Sequence, residues 1–151
     1  AGDVAGATAA GTHRQDVKGG GAHAHKIFTT LGMFGKDKNC QRVHTDDPRS
    51  DPVWDKCDEL GIPVLIHTGE PNAFWFPWDR HNERWLELKM RSGRNHASET
   101  DPSWDTVVGE QHNLFRKHRN TTYLNAHMGW RAKHLTKPGP LLAELPDFSG
   151  A

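Results

Sequence analysis

At 151 residues the chain is long enough for one domain with its own core. Its 19 basic and 19 acidic side chains cancel, which excludes the basic footprint of a nucleic-acid binder. No apolar run approaches the ~20 residues of a membrane span, and the Ala/Gly/Thr-rich start lacks the basic and apolar regions of a secretory signal.

The first residue is Ala, not Met, which we read as a missing true start. Cys40 and Cys57 make neither a CxxC pair nor a disulfide framework, and read as free thiols in a reducing cytoplasm. Eleven histidines and six tryptophans are high for this length. Histidine is the commonest metal ligand and a frequent acid or base.

Residues 1–20 are poor in large apolar side chains and read as poorly ordered or as a remnant helix. Gly19-Gly20-Gly21 is a junction between elements. Ala22 to Phe28 reads as a short strand, and residues 30–50 as a long polar loop with a turn signal at Asp46-Asp47-Pro48. Asp51 fits a helix N-cap and Pro52 the first helical position. Val53, Trp54, Cys57 and Leu60 recur at helical intervals until Gly61 ends the helix. Ile62 to Ile66 is a continuous apolar run, which suits a strand buried on both faces in a parallel sheet.

Residues 71–102 form a long connection, of a length usually tied to function or mobility. Its first part, Phe74-Trp75-Phe76-Pro77-Trp78, reads as a lid over a pocket or as a packing loop. Asn82 to Met90 reads as a short helix, and Arg91 to Asp101 as polar turns. A second long helix opens at Asp101-Pro102 and runs to His118, with Trp104, Val107, Val108, Gln111, Leu114 and Phe115 on one face. Thr121 to Ala126 reads as a strand. A last helix falls within 131–144, and a further strand starts near Pro146 to Ser149. Strand and helix alternate throughout, the pattern of an α/β fold with parallel strands.

Two of these strands end alike, in His67-Thr68-Gly69 and His127-Met128-Gly129. Parallel α/β folds bind ligands at the carboxyl ends of their strands. A histidine there can face the mouth, and the glycine after it lets the backbone turn away. The pair can share one metal ion, or one can hold the ion while the other moves protons. Either histidine taken alone also reads as a hydrogen-bonded strand-end residue with no catalytic role.

Several segments together resemble one family. They are Thr45-Asp46-Asp47-Pro48-Arg49, Asp51-Pro52-Val53-Trp54, Glu59 to Pro71, Asn82-Glu83-Arg84-Trp85, Pro102-Ser103-Trp104, Glu110-Gln111-His112-Asn113 and Asn125 to Trp130. As a set, over residues 16–150, they resemble the amidohydrolase-related metal-dependent hydrolases and decarboxylases. The resemblance implies a (β/α)8 TIM barrel in which His67 ends the fifth strand and binds metal. It implies that His127 ends the sixth strand and binds metal or acts as the catalytic base. The family's other ligands stand on the first and eighth strands, which this sequence does not contain. Such a barrel needs ~250 residues. The expectation is therefore a partial TIM barrel, about strands 4 to 6, with residues 1–151 a fragment of one barrel domain.

The resemblance also implies a divalent metal, most simply zinc, a small-molecule substrate and a homo-oligomeric parent enzyme. Lys26 is a candidate contact for a substrate anion. Glu70 and Trp130, with Asp79 and Arg80 as weaker ones, are candidates either for substrate contacts or for groups that support the metal ligands from behind. Lys26 equally reads as a strand-end lysine reaching solvent. His23-Ala24-His25 is an HxH, so both rings share a strand face. Lys26 lies on the other face, so a mouth-facing Lys26 turns both histidines toward the helices. Trp54, Trp85 and Trp104 read as packing residues. The expected reaction is attack of metal-activated water on a carbon–nitrogen or ester-like bond. A decarboxylase on the same frame and a non-catalytic truncated product are the alternatives.

Overall fold

The computed structural model describes residue 21 and residues 23–127. The expectations for residues 1–20, for Trp130 and for the last helix and strand lie outside the described residues.

Three short strands form a parallel sheet in the order β1 (His25–Ile27), β2 (Val64–Ile66), β3 (Tyr123–Asn125). In register, Lys26 faces Leu65 and Leu65 faces Leu124. Successive side chains alternate across a strand. The neighbouring row, Val64, Ile66 and Tyr123, therefore points to the opposite face. There it meets helix α1 (Asp51–Leu60) and helix α3 (Trp104–Lys117), which follow β1 and β2 in the chain. Val53, Trp54, Cys57, Leu114 and Phe115 complete this core.

The apolar run at 62–66 differs from expectation in one respect. Val64 and Ile66 are fully buried, but Leu65 between them is only half-buried. Among the described residues helices cover one face of the sheet, and Leu65 lies on the other.

Helix α1 ends as expected: Gly61 takes a left-handed φ of +63°, and its N–H returns to the Asp58 and Cys57 carbonyls. Its start differs. Asp51 is already helical, and its carboxylate pairs with Lys117 and His118 across the helix layer. The capping carboxylate is Asp47, which accepts from Arg49 N and closes a 3-10 turn over Pro48–Ser50. Helix α3 is capped by Ser103, whose hydroxyl accepts from Thr106 N at 3.1 Å. All six residues of its predicted apolar face are buried, joined by Glu110.

The long connection packs at its start and opens further on. Phe74 is 1% exposed, within a 3-10 turn over Asn72–Trp75, and Trp75 Nε1 donates to the Pro102 carbonyl. Phe76 and Trp78 are exposed. A short helix α2 (Trp85–Met90) follows, buried only at Leu88. Trp54 and Trp104 are packing residues as read, but Trp85 is exposed, with Lys89 Nζ 5.3 Å from its ring centre. A six-residue helix with one buried side chain has too little inner face to take the indole in.

Candidate metal centre

The HxH at the start of β1 does not gather at the strand ends. The His25 ring meets Trp54 of α1 edge-on at 6.2 Å, on the helix side of the sheet, and His23 is exposed. Lys26 lies on the other face, in one row with Leu65 and Leu124. Pleating then puts Phe28 and His67, each two residues on, over the same face. Lys26 Nζ stands 5.2 Å from the Phe28 ring centre.

His67 follows β2, and its backbone N–H donates to the Ile27 carbonyl, which ties it to the end of β1. Gly69 then adopts φ +69°, as the glycine two residues on was read to do. His127 follows β3 and itself carries the left-handed backbone, with φ +55°. A histidine with positive φ is uncommon, and such outliers gather at functional sites. Gly129 lies outside the described residues.

The two imidazoles face each other edge-on with ring centres 4.8 Å apart. At that spacing two ring nitrogens can serve one ion. Burial lowers the His67 pKa below the ordinary histidine value. The nearby His127, Lys26 and Arg94 push the same way, and Glu70 opposes them. The ring is thus kept neutral, the form that donates a lone pair to a metal. The donor set therefore fits a divalent ion as far as these two nitrogens go.

Glu70 stands three residues past His67, and its carboxylate accepts from Arg94 Nη2 at 2.9 Å. Asp79 and Arg80 are exposed in a turn whose side chains bond to His81, so they are not drawn into the mouth. Trp130 lies outside the described residues.

The sequence reading missed two features. One is Arg94, which sits in a polar turn 24 residues from Glu70 with no pattern to mark it. The other joins His44, Asp46 and Glu110, whose ligand-type atoms lie within 4.8 Å of one another. There Arg42 donates to both Glu110 oxygens, at 2.5 and 3.1 Å, and Thr45 N donates at 3.0 Å. An ion at this point would compete with a guanidinium for the same carboxylate. We read the cluster as an ion-pair junction. The apolar spacing of α3 did not mark it: Glu110 is buried beside Gln111 in the fold, and only that burial calls for a cationic partner.

No curated protein and no solved structure matches the chain. A model of the amidohydrolase family matches residues 16–149. That match spans nearly the whole length, and the chain therefore belongs to the amidohydrolase family of metal-dependent enzymes.

Proposed function

We propose that His67 and His127 are two of the ligands of a divalent metal centre in a hydrolase, and that zinc is the ion. In this reading β1, β2 and β3 are the fourth, fifth and sixth strands of a (β/α)8 barrel. The chain is then one segment of that barrel domain, and other segments of the enzyme complete the coordination. The observation that carries the proposal is the 4.8 Å approach of two strand-end imidazoles from separate strands. Zinc is favoured because imidazole suits it and its bond geometry is undemanding.

Bound there, the ion supplies Lewis acidity toward water and toward the scissile group of the substrate. His67, kept neutral by burial, holds its lone pair ready. His127 is exposed, so its ring either completes the coordination or takes the proton of the attacking water. Lys26 and Phe28 share the mouth-side face, where an ammonium and an aromatic ring can seat an anionic, planar group. The Glu70 carboxylate can accept a hydrogen bond from a substrate N–H or O–H. Trp130 is proposed as a further substrate contact, and Phe76 and Trp78 as the exposed edge of a lid. The substrate is a small molecule, and the enzyme a cytoplasmic homo-oligomer.

The test is zinc titration of the protein against a chromophoric chelator, with His67→Ala and His127→Ala variants, followed by product analysis. Stoichiometric zinc, at least tenfold weaker in His67→Ala, is expected, with an amine or alcohol as product. Carbon dioxide as product would replace hydrolysis by decarboxylation. Zinc uptake unaffected by either substitution would refute the proposed ligands, and uptake without turnover would favour a non-catalytic chain.

A further inference from the structure

The connection after His67 leaves the mouth and is tied back to it by one side chain. Arg94 Nη2 donates to Glu70 Oε2 at 2.9 Å, and Nη1 donates to Glu87 Oε1 at 2.5 Å. Its guanidinium carbon lies 4.8 Å from the centre of the Phe74 ring. A planar fork suits two carboxylates at once, and an aromatic face beneath it adds attraction. Phe74 is almost fully buried and gives the fork a rigid floor. The Glu70 side chain is only 17% exposed in this arrangement.

Glu70 sits one residue past the left-handed Gly69, in the turn that carries His67 off the sheet. A glutamate on such a turn has three side-chain rotors and solvent to swing into. The double salt bridge removes that freedom, and α2 supplies its second anchor through Glu87.

We propose that Arg94 is a positioning residue for the metal centre: by clamping Glu70 it fixes the turn from Thr68 to Glu70, and with it the presentation of His67. The inference rests on the reading of His67 as a metal ligand. Groups that orient a ligand from outside the coordination sphere commonly change metal affinity by 10–100-fold. Arg94 acts through one further link, so the low end, about tenfold, is expected.

The experiment measures zinc affinity by chelator competition, and the visible spectrum of the cobalt-substituted protein, in the full protein. The variants are Arg94→Gln, Glu70→Gln, their double and Arg94→Lys. Arg84→Gln is the control: Arg84 is an exposed cation of the same connection, paired with Glu87 and Glu83, and its loss removes the same charge. Arg94→Gln is expected to weaken zinc about tenfold and shift the cobalt bands. Glu70→Gln should do the same and the double variant no worse, as one interaction removed twice. Arg94→Lys should recover part of the loss, since one ammonium cannot span both carboxylates. Arg84→Gln should stay within twofold of the parent.

A second arm needs no metal. Amide exchange at residues 68–70 in metal-free protein should quicken at least fivefold in Arg94→Gln and not in Arg84→Gln. Zinc affinity within twofold of the parent in Arg94→Gln, or additive losses in the double, would overturn the proposal. If the parent takes up no zinc, the proposed function fails by itself. The exchange arm then still decides whether Arg94 holds the turn, and unchanged exchange refutes it.

Discussion

His67 is where local chemistry and site chemistry meet. Burial costs its charged form solvation, and three neighbouring cationic or ionisable groups add to that cost, so its folded pKa lies below the usual 6.5. The unfolded chain then binds more protons than the native one between the folded value and about 6.5. Stability contributed by His67 is accordingly present above that window and is lost as pH falls through it. Imidazole proton resonances of the metal-free protein should give a His67 midpoint below 6.5. His67→Asn should flatten the dependence of urea stability on pH in the same window. A midpoint at or above 6.5 would contradict the burial of this ring.

At the scale of elements, capping is set by where side chains find partners. Asp51 stands at a helix start and carries the right side chain for a cap, yet its carboxylate serves Lys117, the last residue of α3, and His118 just after it. Ser103 does cap α3, with 3.1 Å to Thr106 N and 2.8 Å between the two hydroxyl oxygens. Ser103→Ala should cost about 1 kcal/mol, read as a lower urea midpoint with an unchanged m-value. The elements themselves were legible where the pattern was long. The stripe from Trp104 to Phe115 is buried residue for residue. Trp85 was misplaced because four apolar residues in a six-residue helix do not fix which of them faces in. Glu110 was passed over because apolar periodicity does not report a charged residue that shares the buried stripe.

Across the whole molecule, Glu110 links parts of the chain that sequence keeps far apart. It joins the segment after β1 to helix α3 through Arg42, Thr45 and His44, 65 to 68 positions away along the chain. The segment must fold closely against α3: a side chain at Gly32 would strike the Thr45 hydroxyl, and Gly32 itself has φ +83°. Glu110→Ala strands a partly buried guanidinium and a buried N–H, so a loss of about 3 kcal/mol is expected. The double variant with Arg42→Ala should lose less than the two single losses combined, by the non-additivity of a shared pair. Simple additivity in urea unfolding would show that the junction does not hold the two parts together.

By itself the sequence determined the parallel α/β character, the helix with its Gly61 stop, the buried face of α3 and the two strand-end histidines. Each is a local matter: periodicity, glycine freedom and strand chemistry are written in neighbouring residues. Tertiary structure alone decided that His67 and His127 meet at 4.8 Å, that His25 turns to Trp54, and that Arg94 returns to Glu70. Those depend on strand register, on which sheet face the helices cover, and on the path of a long connection. All three are settled by packing between residues remote in the chain.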